Sequence, residues 1–329
     1  MSDGQPVAGS VYFYAPNKGA AIFGAAAFFA STAWHIWQCY RLRAWKVTTL
    51  IPFASLLFTV GFALRAYGAW NYDNVDVFLA STVLIYTAPP IYELANYHIL
   101  GRILYYVPYC SPIHPGRTMT TFGTISAVVE VLNALGVSWS INPKIPSDLA
   151  SLGETLLKAS LIIQIVVILI FVGFVAWFQY HVKKRGLDIG SVNAPCLTMY
   201  VTSFLIFVRC IYRTVEHFGA EALRTVKPGD IGSISPIIRY EWFFYVFEVL
   251  PMIVYTFLWN VRHPRKYLPQ NHKLYLSMDG VTEVEGPGWT DDRAFVVTAI
   301  DPFGLCGGRK NKEKPFWEET SISATSSAK

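Results

Sequence analysis

Charge is what this sequence has little of. Asp, Glu, Lys and Arg make up 15% of its 329 residues, against 53% hydrophobic and 16% aromatic, and the mean hydropathy is positive. A soluble domain of this length has no interior that could bury so much apolar material, so the composition points to an integral membrane protein. Cysteine is sparse as well. Cys39, Cys110, Cys196, Cys210 and Cys306 stand without C-x-x-C spacing, which suggests neither a disulfide framework nor a zinc site. Walker-type G-x-x-x-x-G-K-[ST], G-x-S-x-G, H-E-x-x-H and N-x-[ST] are all missing, so ATP hydrolysis, serine-hydrolase chemistry and N-glycosylation are not expected. On these grounds the chain is expected to be no enzyme and no nucleic-acid partner, and to hold no metal.

What is present is a series of seven apolar stretches at about 17–40, 47–68, 76–101, 118–140, 157–181, 194–217 and 239–261. Each is close to the roughly 20 residues that a helix needs to cross a hydrocarbon slab. A backbone in lipid must satisfy its own hydrogen bonds, and the ten-residue alternation of barrel strands is missing, so helix is the expected form. The expected fold is an all-α membrane protein, a seven-transmembrane helix bundle. Its parts are a short extracellular segment at 1–16, the bundle at 17–261 and a disordered cytoplasmic tail at 262–329. The first seventeen residues are polar and turn-rich and the first apolar run is long enough to span, so no cleaved signal peptide is expected. Basic residues flank the first, third and fifth loops and open the tail: Arg41, Arg43 and Lys46; Arg102 and Arg117; Lys183, Lys184 and Arg185; Arg262, Arg265 and Lys266. That distribution predicts an outside N-terminus and a cytoplasmic C-terminus. No inverted internal repeat is found, which leaves alternating-access folds built on paired repeats unsupported.

The polar residues inside the spans carry the functional information, because each ionised side chain there is costly. In the sixth span Arg209, Arg213 and Glu216 follow i, i+4, i+7, and in the seventh Glu241, Tyr245 and Glu248 do the same, so each trio is expected on one helix face. Counting about 1.5 Å per residue from the outer surface puts Arg209 and Glu248 at roughly 12–14 Å and Arg213 and Glu241 at roughly 3–6 Å. Two ion pairs follow, Arg209 with Glu248 and Arg213 with Glu241. Glu130 in the fourth span lies at a depth similar to Arg209, with Asn133 one turn away, and Arg65 closes the second span. The cluster is either a sealed ion-pair core or the lining of a wet cavity. In the third span Pro89 and Pro90 predict a kink or local unwinding near Thr87. Glu93, Asn96 and Tyr97 share a face just after it, where they fit either a gate or a merely structural bend. Tyr105, Tyr106 and Tyr109 read as interfacial aromatics. His35, His98, His181 and His217 stand on four different spans. A zinc site is therefore not expected, whereas haem needs only one or two axial ligands and porphyrin handling stays open.

These residues resemble a fungal family of seven-helix proteins, the RTA-like lipid-translocating exporters, which includes proteins linked to aminocholesterol resistance, sphingoid long-chain-base release and protoporphyrin uptake. The resemblance runs from about residue 14 to 260. It rests on Ala88-Pro89 followed by "ANYHILGR" ending at Arg102, on R-x-x-x-R-x-x-E at Arg209, Arg213 and Glu216, on "YEWFFYVFE" with Glu241, Tyr245 and Glu248, and on "GFALR" ending at Arg65. Departures are Phe58 where many relatives carry glutamate, and Ser126 and Asn133 where they carry aspartate and glutamine, with Glu130 one turn along. The resemblance implies a multi-pass transporter or translocase exporting amphipathic lipids such as sphingoid bases or sterol-like toxic compounds, tied to stress or toxin resistance. Arg65, Glu93, Glu130, Arg209, Arg213, Glu216, Glu241, Tyr245 and Glu248 would serve its substrate. Membrane lipids and an amphipathic small molecule would be its partners, and the plasma membrane, with an internal membrane as the alternative, its location. A seven-helix sensor or receptor, or a haem or porphyrin carrier, are the competing readings.

Overall fold

The computed structural model describes residues 16–71, 73–141, 146–187, 189–223, 235–288 and 297–298. Seven helices among them are long and apolar enough to cross a membrane. They are α1 (Lys18–Arg41), α2 (Leu50–Gly68), α3 (Val75–Tyr106), α4 (Arg117–Ile141), α5 (Ser147–Lys184), α6 (Gly190–Leu223) and α7. The last of these, α7, begins as Trp242–Phe244, passes through a π-helical turn at Tyr245–Val249 and continues as Leu250–Val261. Asn17 and Asn74 start α1 and α3, their side-chain oxygens accepting from Ala20 N at 3.1 Å and Val77 N at 3.2 Å. Each thereby satisfies an amide that the first turn leaves without a partner.

Helices adjacent in sequence pack side by side, and α7 returns to both α6 and α1, so the bundle closes as a ring. Its outer surface carries many large apolar side chains. Phe23, Phe29, Phe53, Ile170 and Phe204 are all at least half exposed, as lipid-facing side chains are. The interior on the α1–α2–α3 side is an aromatic stack, with Phe28 and Phe58 rings 4.4 Å apart and Phe62 and Tyr92 continuing the column. Close backbone approach is concentrated at Gly136, where an added Cβ would lie 2.8 Å from both Gly153 O and Leu157 N of α5. At Gly61 it would meet Ile85 Cγ1 at 2.8 Å, and Ser81 Oγ donates to the Gly61 carbonyl at 3.0 Å.

Two expectations are corrected. First, the local unwinding expected near Thr87 does not occur: α3 stays helical through Pro89 and Pro90. Both prolines are buried against neighbouring helices, and tertiary packing holds a turn that the missing N–H groups would weaken in isolation. Second, the tail does not begin disordered at 262. Pro264–Lys266 forms a 3-10 turn, and strands β1 (Leu274–Leu276) and β2 (Glu283–Glu285) pair antiparallel with Leu274 opposite Glu285. The turn between them uses Gly280 at φ 74° and the Asp279 carboxylate, which accepts from Val281 N and Thr282 N at 3.0 Å. The Thr282 hydroxyl and these amides hold the Asp279 carboxyl below its usual range. This hairpin is held by the end of α3 and by the 3-10 turn at Pro108–Cys110 that follows it. Arg102, fully buried, donates to Leu274 O at 3.3 Å and Asn271 O at 3.1 Å. Tyr105 donates to Lys273 O, Tyr109 to Ser277 O and Tyr106 to Glu283 Oε1. These tyrosines therefore bind the hairpin and do not stand simply as an interfacial belt. Strands of three residues are too short for alternation to be read from sequence. The segment 1–15 and most of the tail past 288 lie outside the described residues.

Gly136→Ala is expected to destabilise the protein by about 1–3 kcal/mol, because backbone atoms of α5 cannot yield to the methyl group. Gly173→Ala, with no atom within 4 Å of the added carbon, is the control. Thermal unfolding in detergent should show a lower midpoint for the first variant alone, and equal midpoints would contradict the close contact.

Candidate functional site

The intramembrane charges fall into three connected groups. At the Asn17 end of the bundle, Arg65 Nη2 of α2 donates to Glu241 Oε1 at 2.7 Å, and the Asn17 amide donates to Glu241 Oε2 at 2.7 Å. The Arg65 guanidinium also lies 4.6 Å from the Phe244 ring centroid and 5.9 Å from that of Tyr245. Deeper in the bundle, Arg209 Nε donates to Glu248 Oε1 at 2.8 Å, with Glu248 completely buried. Arg213 Nε stands 4.0 Å from Glu248 Oε2. Arg213 Nη1 donates to Glu216 on its own helix and, at 2.9 Å, to Tyr86 Oη, whose ring centroid is 3.8 Å from the guanidinium. Tyr212 Oη donates to Glu216 Oε1 at 3.2 Å.

The Arg209–Glu248 pair therefore stands as depth-matching predicts, whereas the Arg213–Glu241 pair does not form. Two features explain the difference. Glu241 precedes the first helical residue of α7, and the π turn at Tyr245–Val249 changes the angular spacing between Glu241 and Glu248. A wider i→i+5 turn destroys the shared face that an i, i+7 spacing assumes. Glu241 meets α2 and Arg65, while Glu248 meets α6 and its arginines.

The third group centres on Glu93. Its Oε1 accepts from Gln164 Nε2 of α5 at 3.0 Å, and its Oε2 lies 3.4 Å from Tyr97 Oη, which is itself 3.2 Å from Ser126 Oγ. Beside it Asn96 Oδ1 receives Trp259 Nε1 at 3.2 Å and lies 2.9 Å from Tyr255 Oη. A void of about 10 Å³ between Glu93, Asn96, Tyr97 and Ser203 is about the size of one water molecule.

Between α3, α4, α5 and α6 lies a much larger cavity of about 540 Å³. Val83, Ile91, Leu94 and Leu161 supply apolar wall, and Glu130, Asn133, Gln164, Arg209, Arg213 and His217 supply the polar part. Val83 and Thr87, at its edge, are exposed on the flank of the bundle. Both arginines reach it already paired with Glu248 and Glu216. Glu130 lines it with no hydrogen bond or ion pair among the described residues, and the Asn133 carbonyl oxygen also lacks a partner there. The cavity thus pairs apolar walls with hydrogen-bond acceptors still open, an arrangement that can receive a donor or cation carried on an apolar body.

Of the sequence-derived site residues, Glu130, Arg209 and Arg213 line this cavity, and Glu93, Glu216 and Glu248 stand directly behind its lining. Arg65, Glu241 and Tyr245 form a separate group on the α2–α7 side. Sequence reading missed Tyr86, Leu161, Gln164 and His217 as lining. Gln164, the lone amide in the apolar run "SLIIQIVVILIF", was the signal available for α5.

Residues 51–271 match the family model described as RTA1 like protein. The chain is 42% identical over 313 residues to the lipid-translocating exporter-like protein RTA1 of Leptosphaeria maculans, with 91% of this chain and 60% of that protein aligned. It is 23% identical to the probable lipid transporter atnI of Emericella nidulans, across 79% of this chain and 69% of that one. It is also 27% identical to the protoporphyrin uptake protein 1 of Saccharomyces cerevisiae, across 65% and 68%. No solved structure matches the chain.

Removing one member of a buried pair leaves the other charge uncompensated, typically a loss of about 3–5 kcal/mol. Arg209→Ala and Glu248→Ala should therefore each be strongly destabilising, and the double variant distinctly less so than their sum. A thermal-stability cycle on the purified protein measures this coupling, and simple additivity would mean that the pair does not act as one unit.

Proposed function

The chain belongs to the RTA1 like protein family, and from that premise we propose that it is a membrane transporter that moves amphipathic lipids bearing a cationic or hydroxylated head, with sphingoid bases as the leading class. The observation that carries the proposal is the open acidic group in the cavity: Glu130, with no hydrogen bond or ion pair among the described residues, beside apolar walls and two arginines already neutralised by their own carboxylates. An ammonium head would neutralise Glu130, a neighbouring hydroxyl would donate to the Asn133 oxygen, and the chain would extend past Val83 into lipid. Anionic heads would be met by a carboxylate and are disfavoured. With the N-terminus outside, the cavity faces the outer half of the membrane and the hairpin at the end of α3 lies in the cytoplasm. The plasma membrane is then the natural location, the direction of movement is export, and the physiological consequence is resistance to toxic amphiphiles. The chain acts as a carrier, not as an enzyme.

Relatives named for lipid translocation support this reading, although the chain spans 60% of the length of the Leptosphaeria protein. A porphyrin cargo is the second reading. It is favoured by His217 in the cavity wall and by the yeast relative named for protoporphyrin uptake.

In proteoliposomes, the protein should accelerate transbilayer movement of a fluorescent long-chain base. Glu130→Gln should reduce that rate about tenfold while leaving a neutral sterol probe unaffected, since loss of one charge-assisted contact of about 1.4 kcal/mol is a factor of ten. Unchanged base transport by Glu130→Gln would remove Glu130 from the mechanism. Binding without net movement would favour a sensor over a carrier, and a bound-porphyrin absorbance band would favour the second reading.

A further inference from the structure

Away from the cavity, near the opposite end of the bundle, three buried residues from distant parts of the sequence converge. His35 and Cys39 lie one turn apart on α1, and His263 follows α7. Each is fully buried, and one ligating atom from each lies within 4.8 Å of the others. Thr48 joins them, its Oγ1 standing 3.3 Å from Cys39 Sγ and 3.5 Å from His263 Nε2. The imidazole centroids are 5.1 Å apart.

The hydrogen bonds around His35 decide which of its nitrogens is free. Asn260 Nδ2 donates to the Ser31 carbonyl at 3.2 Å, so the amide oxygen of Asn260 is the atom turned toward His35. That oxygen lies 2.5 Å from His35 Nδ1, which must therefore be the protonated nitrogen. His35 Nε2 is left as a buried lone pair with no hydrogen-bond partner among the described residues. A histidine whose N–H is fixed on a carbonyl oxygen, with its second nitrogen bare and a ligating atom within 4.8 Å of those of a thiol and another imidazole, has the arrangement of a metal ligand oriented by an outer shell.

We propose that His35, Cys39 and His263 form a binding site for a soft monovalent metal ion, copper(I). Three considerations select the ion. A thiol and two imidazoles suit Cu(I) or Zn(II) more than the hard cations, which require oxygen. The cluster offers three ligands rather than the four that structural zinc ordinarily takes. It also holds a single ionisable thiol and, among the described residues, no carboxylate, and the basic Arg265 and Lys266 stand two and three positions after His263. One thiolate makes Cu(I) neutral in this buried place, whereas Zn(II) would leave a net positive charge beside two cations, a costly arrangement away from water.

Coordination has defined proton consequences. Cys39 gives up its thiol proton, so one proton leaves for each ion bound. His263 Nδ1 accepts from the Arg265 amide at 3.2 Å, which puts the ring proton on Nε2. Binding through Nε2 shifts that proton to Nδ1 and gives up the Arg265 contact, with no net release. Metal bonds of about 2.0–2.3 Å bring ligand atoms to about 3.6 Å from one another, so the three side chains draw in by about 1 Å. The bound ion would tie α1 to the segment following α7.

The test uses the full-length protein, purified in detergent, reduced, stripped with a chelator and titrated with Cu(I) against a chromophoric Cu(I) chelator. The expected result is one ion per chain, one proton released, and an X-ray absorption spectrum fitted by one sulfur and two nitrogen neighbours. Cys39→Ala keeps a small apolar side chain, and it should weaken binding at least 100-fold; His35→Gln should do the same. Cys196→Ala, on α6, should bind as the wild type does. Wild-type binding by Cys39→Ala, no bound equivalent in the wild type, a different donor set in the spectrum, or binding of Zn(II) in preference to Cu(I) would each overturn the proposal. The spectrum of the unmodified protein keeps the test decisive should a variant fail to fold.

Discussion

A guanidinium within a membrane helix needs a counter-charge in contact, since a charged side chain at mid-bilayer depth costs at least about 2.5–3.5 kcal/mol on insertion scales. Glu248 meets that need for Arg209 at 2.8 Å, and the arrangement of the bundle around α6 and α7 follows from it. For Glu248 to face α6, the last helix carries a π turn. The same turn frees Glu241 to face α2, where it takes Arg65 and also caps the start of α1 through the Asn17 amide. One helical irregularity thus distributes two carboxylates between two neighbours. Arg213, denied Glu241, is satisfied by Glu216 and Tyr86. Every arginine near the cavity has its own acid, Glu93 is held by Gln164 and Tyr97, and Glu130 is the acid left without a hydrogen bond or ion pair among the described residues. A cavity lined by unpaired arginines would draw phosphate heads; one whose arginines are already paired presents an acid.

A second polar system runs through the α1, α2, α3 and α7 interface. Tyr92 Oη meets Ser55 Oγ at 2.7 Å, Ser55 meets Thr256 at 2.9 Å, Thr256 meets Ser31 at 2.7 Å, and Ser31 takes Asn260. Asn260 in turn holds His35. Between apolar helices in lipid the hydrophobic effect gives little drive for association, so small residues and interhelical hydrogen bonds of this kind set which helices meet and at what height. The chain of hydroxyls and amides also leads from beside Glu93 to the His35 cluster, so the two polar regions share a packed interface.

The seven spans and their approximate ends were legible because hydropathy and length are local properties, and lipid permits little other than helix. Depth was legible too, which is why Arg209 and Glu248 could be matched across 39 positions of sequence. Azimuth was not. Face arguments assume 3.6 residues per turn throughout, and the π turn at Tyr245–Val249 breaks that assumption at the point where the Arg213 partner had to be chosen. Arg65 looked like a terminal residue and proved to be the Glu241 partner, because helix ends that lie far apart in sequence come together only when the ring closes. The hairpin at 274–285 was hidden for a different reason: its strands are three residues long, and what holds them is Arg102, Tyr105 and Tyr106 at the end of α3 and Tyr109 in the 3-10 turn just after it, rather than any pattern of their own. Similarly, His35, Cys39 and His263 share no motif and meet only because α7 returns to α1.

The central claim, that paired arginines leave Glu130 to receive the head of an amphiphile inside the bundle, is tested most directly by photo-crosslinking. A long-chain base carrying a photoreactive group beside its amine is irradiated with the purified protein, and the labelled peptides are mapped by mass spectrometry. Label on α3, α4 and α6 near Tyr86, Glu130 and His217, displaced by excess unlabelled base, is the predicted result. Label confined to the lipid-facing surfaces of α1 and α5, or label that unlabelled base does not displace, would contradict the account.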